Sequence, residues 1–471
     1  MSTPRYQQLE QALSEEIRLG QRAPGERLPS IRQLSRERKL SKSTVLTAYS
    51  RLEADGLIEA RPRSGYFVCA GEEPSPGGLK TPAPSKPRQK PAPVSAGQVL
   101  LDIMEQGAAF DLLPSVAPHS GNEQLRRCLA RAQRRQSCAE QDYYDGPQGL
   151  AELRGQLAQR TRSGGSQVTA DDLVVTAGCQ HALLLALMAT TSPGDVVAVE
   201  SPGFYGVFQL LEALGLQALE MPSSAQTGIS PDALELALQH WPVKALVVSP
   251  CYGTPTGACI PETHKRRLLE LAQRHKLAVI EDDIYGELFF GLRRPRTLHS
   301  YDDSGSVLLC SSFSKSLSRD LRLGWIAPGK YLDRIKRLKV VTSLASSRTQ
   351  QLGASYYLAE GGLERRLRQQ RQRFRQQCQQ LLTQIPVALP MALSCSRPEG
   401  GLSVWLELPA DVDTIALYGA ARAQGILVTP GPLFSAQKRY QSFLRLSFAH
   451  PWTPERRRAL RQLGKLIVVQ C

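Results

Sequence analysis

One lysine in this chain stands where covalent chemistry is available to it. In the run Ser311 to Gly324, Lys315 is set among the hydroxyls of Ser312 and Ser314, with Arg322 seven residues on. The run follows an apolar segment, Val307 to Cys310, that reads as a buried strand, and precedes another, Trp325 to Ala327. A lysine delivered from the end of a core strand into a partly dry pocket beside other cations gives up its proton. The neutral amine then condenses with an aldehyde to form a Schiff base. Ser312 and Ser314 as donors, with Arg322 as a two-pronged clamp, suit a dianionic phosphate. A phosphate-bearing aldehyde, pyridoxal phosphate, is the ligand these residues ask for.

Other segments end in residues that fit the same ligand. Ala177-Gly178-Cys179-Gln180 opens an apolar helix whose free amides and positive end favour a phosphate, with Gly178 allowing close approach. Phe204, in Glu200 to Gly206, has the shape to stack on a flat heterocycle, although in isolation core packing explains it better. Glu281-Asp282-Asp283-Ile284-Tyr285 ends an apolar run with clustered acids. A carboxylate there, Asp282, facing a ring nitrogen would keep that nitrogen protonated and the ring electron-withdrawing. Tyr285 would donate to a phenolic oxygen. A solvated acid or a core tyrosine accounts for either residue alone. Packing does not account for their joint appearance with Gly178, Lys315 and Arg322.

The elements that must position these residues alternate. Leu173 to Thr176, Val196 to Val199, Ala245 to Ser249, Ala278 to Glu281 and Val307 to Cys310 are strand-like, separated by helical stretches such as Ala182 to Met188 and His264 to Ala272. Such alternation predicts a mostly parallel sheet with helices on both faces, in which ligands gather beyond the carboxyl ends of the strands.

A chain of 471 residues has room for two to four domains. The formal charge of +15 is compatible with an acidic partner, yet residues 1–70 carry 12 Lys and Arg against 8 Asp and Glu. Much of the surplus lies in Glu364 to Arg375 and Glu455 to Arg461, which read as solvated helix faces. Ten cysteines without paired Cys-x-x-Cys spacing, and no histidine cluster, predict reduced thiols, no metal and a cytoplasmic protein. The start lacks an apolar signal core, and no apolar run is long enough to span a bilayer, so no membrane association is expected.

The nucleic-acid argument comes from pattern. Tyr6 to Leu19 has helical spacing at Leu9, Leu13 and Ile17; Ser30 caps a second helix with Gln33 in a capping-box position. Ser41 caps a third, Lys42 to Asp55, burying Val45, Ala48, Tyr49 and Leu52 and presenting Lys42, Ser43, Thr44 and Thr47. Leu57-Ile58 and Tyr66-Phe67-Val68 flank a basic turn, Arg61 to Gly65. Three short helices and a hairpin make an α+β winged helix-turn-helix, whose capped second element, with a polar and cationic first turn, presents donors to major-groove base edges. An ordinary small helical domain is the alternative.

Residues 71–97 are rich in Pro, Ser and Lys and read as a linker. As a coil it spans about 30 Å, close to the ~34 Å between half-sites one DNA turn apart. A passive tether is the equal alternative.

Gly25 to Ser30, Ser41 to Val45, Ala48-Tyr49, Leu52, Gly56-Leu57 and Gly65 to Val68 resemble the GntR-type winged helix over about the first 70 residues. The resemblance implies double-stranded DNA as partner, contacted by Arg32, Arg36, Ser41, Lys42, Ser43 and Thr44, with Arg63 and Gly65 at the wing tip. From Leu125 to Val468 the chain resembles the fold type I, pyridoxal-phosphate-dependent aminotransferases. The matching pieces are Tyr144 to Gly149 with Leu153-Arg154, Thr176 to Gln180, Pro255-Thr256-Gly257, Asp282 to Tyr285, Ser312 to Lys315, Leu321 to Trp325, Gly400-Gly401 and Arg445 to Phe448. This implies Lys315 as Schiff-base lysine, Asp282 as ring-nitrogen partner, Tyr285 as phenolic-oxygen donor and Phe204 as stacking aromatic. Ser312, Arg322, Gly178 and the amides of Cys179 and Gln180 would hold the phosphate. Tyr144 would reach the phosphate of the other subunit of a homodimer, and Arg445 would take an amino-acid carboxylate. Thr254 stands where these enzymes carry Asn. Its shorter hydroxyl lacks an amide donor, so cofactor binding is implied more firmly than transamination.

Winged helix (1–70), linker (71–97) and a large α/β aminotransferase-like domain (98–471) together resemble the MocR subfamily of GntR-type regulators. The expectation is a transcription regulator whose large domain senses pyridoxal phosphate and an amino acid or amine. A working aminotransferase carrying a DNA-binding domain is the alternative; two relic domains serving as a scaffold is a third reading, disfavoured by the intact acid, lysine and arginines.

Overall fold

The computed structural model describes residues 5–18, 21–23, 25–54, 57–61, 64–68, 79–84, 90–91, 99, 101, 103, 112–113 and 122–470. It divides into two compact units, residues 1–78 and 79–471.

In the smaller unit, helices α1 (Arg5–Arg18), α2 (Ile31–Glu37) and α3 (Lys42–Ala54) are followed by strands β1 (Ile58–Arg61) and β2 (Gly65–Val68), paired antiparallel. The expected face of α3 is its core face: Val45, Ala48, Tyr49 and Leu52 are buried with Leu9, Leu13, Leu28 and Leu34. The Tyr49 hydroxyl donates to the Pro29 carbonyl at 2.7 Å, tying α3 to the approach to α2. Only half of the expected capping box forms. Ser30 Oγ accepts the Gln33 amide at 3.2 Å, but the Gln33 side chain reaches forward to Glu37, where a helical i,i+4 partner competes for it.

The larger unit is built on an eight-stranded sheet. Its strands are β3 (Val174–Thr176), β4 (Val196–Ser201), β5 (Gln217–Ser224), β6 (Gly228–Ile229), β7 (Val243–Val248), β8 (Ala278–Asp282), β9 (Val307–Ser312) and β10 (Gly324–Ala327), in the order β3-β10-β9-β8-β7-β4-β5-β6. β9, β8, β7, β4 and β5 run parallel; β10 lies antiparallel between β3 and β9, so β3 points the same way as β9. The carboxyl ends of β3, β4, β7, β8 and β9 therefore share one edge.

Both faces of these strands are covered, which is why the sequence shows unbroken apolar runs instead of alternation. Ala245 and Val247 of β7, and Ala278 and Ile280 of β8, enter one core with the helix Cys179–Thr190. Leu246, Val248 and Val279 enter the opposite one with the helix Glu262–Arg274. The two-residue period then fixes the acids. Asp282 follows Ile280 toward the Cys179 helix, and Glu281 turns the other way, accepting the Leu298 and His299 amides at 2.8 Å each.

A second, four-stranded antiparallel sheet, β11 (Ser394–Cys395), β12 (Ser403–Glu407), β13 (Thr429–Pro430) and β14 (Phe443–Ser447), has the order β11-β12-β14-β13. Lys80, inside the stretch expected to be linker, forms a parallel bridge with Ser394, and the Cys395 amide donates to the Lys80 carbonyl at 2.9 Å. Among the described residues no helix is long and apolar enough to cross a membrane.

Candidate cofactor pocket and nucleic-acid face

The strand ends converge on a cavity of about 460 Å³ lined by Cys179, Gln180, Phe204, Thr254, Asp282, Tyr285, Ser314, Lys315 and Arg322, together with Leu183, Tyr205, Gly206, Gln209, Ser249, Ile284 and Arg319. Eight of the eleven residues assigned to the cofactor from sequence, Lys315 among them, line it. Gly178 and Ser312 stand just behind the lining, and Tyr144 lies elsewhere, exposed.

Lys315 stands three residues past the end of β9, in the turn that leaves the strand, so the strand end sets where its side chain begins. Burial, and the charges of Arg319, Arg445 and Arg322, hold its amine well below the usual lysine range against the opposing pull of Asp282. Asp282 ends β8. Its Oδ1 accepts from the Cys179 thiol at 3.3 Å and from the Ile284 amide at 3.2 Å, while burial pushes its carboxyl up to about 6. Tyr285 is buried, and burial raises its phenol well above its ordinary range. Burial also pushes Glu200, whose carboxylate accepts the Ser249 amide at 2.9 Å, up to about 8.

The helix Cys179–Thr190 begins at Gly178 with no side-chain cap, which leaves its first amides for another acceptor. Gly178 has φ +88°, and a Cβ there would come 2.7 Å from Arg322 Nη2. Glycine is thus required twice, by the backbone and by the guanidinium packed on it. Arg322 itself holds φ +47°, its Nη2 donating to the Ala177 carbonyl at 3.1 Å. Uncapped amides, the Ser314 hydroxyl and Arg322 form a donor set for a phosphate-sized anion. Ser312 is buried and bonds inward, its Oγ accepting the Ser314 amide at 3.3 Å.

Phe204 lines the cavity with its ring tilted against Tyr205, centroids 4.7 Å apart. Thr254 is buried, its Oγ1 3.4 Å from Ser403 Oγ. Arg445, on β14, is buried outside the lining; its Nη2 donates to Thr429 Oγ1 at 2.7 Å, and it is also hydrogen-bonded to Tyr205. Beside Tyr144, Asp145 and Glu140 hold Arg348 at 2.5 and 2.7 Å.

Sequence reasoning left two of the lining residues, Arg319 and Tyr205, without a role. Arg319 lies three residues before Arg322, within the quoted run, and that second arginine was the available signal. Tyr205, next to Phe204, had none beyond its neighbour. Arg366 belongs to the arginine-rich segment expected to be solvated, yet it is half-buried and its Nε donates to the Ser316 carbonyl at 3.2 Å. Arg371 and Arg456 depart from that expectation too: Arg371 lies over the Phe289 ring at 3.9 Å, and Arg456 is buried. Long arginine stems cover apolar surface while the head finds carbonyls, which a charge count does not reveal.

On the winged helix, Arg32, Arg36, Ser41, Lys42 and Ser43 are exposed and Thr44 is half-buried. Ser41 Oγ accepts the Thr44 amide at 3.1 Å, capping α3 so that its first turn is presented as expected. Gly65 opens β2 at φ +107°; Arg63 lies outside the described residues. Arg27, unassigned from sequence, is exposed, bridges β2 through Phe67, and places its guanidinium beside Gly65.

Residues 115–463 match the aminotransferase class I and II family, and residues 5–68 match the gntR family of bacterial regulatory proteins. The chain is 39% identical over 467 residues to the uncharacterized HTH-type transcriptional regulator YjiR of Escherichia coli, covering 98% of each. It is 37% identical to YdcR of the same organism, an uncharacterized HTH-type transcriptional regulator, covering 98% of this chain and 99% of that one. Among solved structures it is similar to LysN, the alpha-aminoadipate aminotransferase of Thermus thermophilus, complexed with N-(5'-phosphopyridoxyl)-L-leucine. That likeness has 27% identity and a TM-score of 0.72, over 79% of this chain and 95% of that one.

Proposed function

The chain belongs to the aminotransferase class I and II family and joins a gntR-type regulatory domain to it, and on that premise we propose a pyridoxal-phosphate-dependent, DNA-binding transcription regulator whose large unit senses cofactor and an amino acid or amine. One observation carries the reading. A lysine amine held below its ordinary range opens into a cavity opposite Asp282, in a chain alike end to end with a helix-turn-helix regulator.

When bound, pyridoxal phosphate supplies an aldehyde that a primary amine captures and a ring that withdraws electrons. The residues of this chain do the rest. Lys315 offers the amine, and Asp282 keeps the proton on the ring nitrogen. Tyr285 donates to the phenolic oxygen, and Phe204 covers the ring. The Cys179 and Gln180 amides, Ser314 and Arg322 bind the phosphate, with Gly178 making room for it and Ser312 fixing the Ser314 amide. Thr254 lacks the amide donor that would reinforce the contact to the phenolic oxygen. Arg445, beside Tyr205, takes the effector carboxylate, and Tyr144 serves a second copy in a homodimer. In the other unit, Lys42, Ser43, Thr44, Arg32 and Arg36 meet DNA, with Arg27 beside the wing.

For the effector to switch DNA affinity it must bind one arrangement of the protein better. A coupling of about 1–3 kcal/mol corresponds to roughly 5- to 150-fold. The test is direct. Genomic DNA retained by the full-length protein is sequenced, and affinity for that segment is measured with and without pyridoxal phosphate and each of the common amino acids. A specific segment whose affinity changes with one of them supports the reading; binding indifferent to sequence and to every ligand overturns it.

The likeness to LysN favours a second reading, a working aminotransferase with an attached DNA-binding domain. Sustained turnover of an amino acid with a keto acid would replace the sensor with this one.

A further inference from the structure

Cys251 and Cys259 flank the turn that carries Thr254, and they are paired across it. The Ile260 amide donates to the Pro250 carbonyl at 2.9 Å and the Tyr252 amide to the Ala258 carbonyl at 2.7 Å, making Cys251 and Cys259 directly opposed residues of an antiparallel bridge. With both hydrogen bonds outside the pair, this is the narrow kind of site, Cα atoms about 4.5 Å apart with side chains on the same face. That separation lies within the range that a disulfide spans without moving the backbone. The two thiols act on one another's ionisation, raising Cys251 and lowering Cys259.

Their surroundings favour reaction. Lys265 is buried, donates to the Arg296 carbonyl at 2.5 Å and sits 3.6 Å from Cys251 Sγ. The Cys251 thiol and the Lys265 charge together hold Cys259 down to about 7 although burial opposes them. Cys259 is half-buried, whereas Cys251 is sealed in the core. One sulfur is thus an approachable thiolate and the other a shielded thiol behind it.

We propose that Cys251 and Cys259 form a reversible, peroxide-sensitive dithiol that closes into a disulfide beneath the Thr254 turn. The Cys259 thiolate attacks a hydroperoxide: the S–O bond forms, the O–O bond breaks, and the departing alkoxide takes a proton and leaves as an alcohol or, from hydrogen peroxide, as water. Cys251 sulfur then attacks the resulting sulfenic acid. The S–S bond forms as the S–O bond breaks, and the hydroxide leaves as water with the Cys251 proton. Two electrons pass from the sulfurs to the peroxide, and an external thiol returns them.

The site does not depend on the cofactor reading, and its readout is separate from it. Lys244 and Lys265 bound a tryptic peptide, residues 245–265, that contains both cysteines and no other. Full-length protein treated with hydrogen peroxide and then alkylated should yield this peptide unalkylated and lighter by two hydrogen atoms. Dithiothreitol before alkylation should return it to the doubly alkylated form. Cys259→Ser should lose the effect completely, and Cys251→Ser should leave Cys259 as a sulfenic acid trapped by dimedone. Cys138→Ser, altering an exposed thiol elsewhere, should retain the disulfide. A doubly alkylated wild-type peptide after peroxide, or linkage of either cysteine to Cys69, Cys138 or Cys471, overturns the proposal.

Discussion

The Cys179 thiol donates to Asp282 Oδ1 across 3.3 Å, linking the first residue of an uncapped helix to the last residue of a core strand. The phosphate end and the ring-nitrogen end of the proposed ligand are therefore held to a common spacing by the protein itself. Asp282→Ala removes the charge and leaves the thiol without its acceptor. Cofactor affinity, titrated by the yellow absorption, should fall about 10- to 100-fold, as expected for losing a charge-assisted hydrogen bond. Unchanged affinity would take the ring nitrogen away from Asp282.

Burial and, among its cationic neighbours, Arg319 most strongly lower the Lys315 amine below the usual lysine range. Arg319→Ala should raise the amine's pKa, and because only the neutral amine captures an aldehyde, the pH below which capture fails should move upward. Borohydride trapping as a function of pH, with phosphopyridoxyl located on the Lys315 peptide, measures this. Lys315→Ala should trap nothing at any pH.

Gly178→Ala should strain a left-handed backbone and push Arg322 from its place, with the added Cβ 2.7 Å from Nη2. About 1–3 kcal/mol of stability should be lost, with weaker retention of inorganic phosphate. A melting temperature and phosphate affinity equal to wild type would show the cradle to be looser than described.

Glu200 offers a pH signature independent of ligand. Its carboxyl is raised to about 8 in the folded protein from an ordinary value of 4.5, so folding takes up a proton between those values. The stabilisation that follows is full below 4.5 and is lost as pH rises through 8. Glu200→Gln keeps an acceptor for the Ser249 amide and removes the titration. Its melting temperature should fall less than that of wild type from about pH 5 to 8, and parallel curves would refute the assignment.

For the smaller unit, Lys42→Ala should weaken DNA binding and reduce the slope of log affinity against log salt by about 1. Arg27→Ala, beside Gly65, should weaken binding without altering α3, since Arg27 precedes α2 and α3 in the chain. Equal affinity and slope for both variants would remove this face as the DNA contact.

Much of the pocket was legible because parallel strands covered on both faces leave continuous apolar runs, and the residue after each run must lie on the shared edge. Asp282 could be chosen over Glu281 and Asp283 by its proposed chemistry, and the two-residue period supplies the structural reason. β5 escaped notice because Glu220 and Pro222 interrupt it. Glu220 is buried, satisfied by Ser201, Ser435 and the Gln437 amide, partners too distant in sequence to suggest a core carboxylate. The four-stranded sheet, with two strands of only two residues, leaves no period to read. The Cys251–Cys259 pairing depends on the path of a turn, and no spacing rule announces it.

Lys80 is stitched to the edge of that same small sheet. A leash judged by composition alone would run as far as residue 97. The bridge at Lys80 instead makes that part of the expected linker an element of the larger unit, on the β11 edge of the small sheet. Because β11 adjoins β12 and β12 adjoins β14, that attachment stands two strands from the one bearing Arg445.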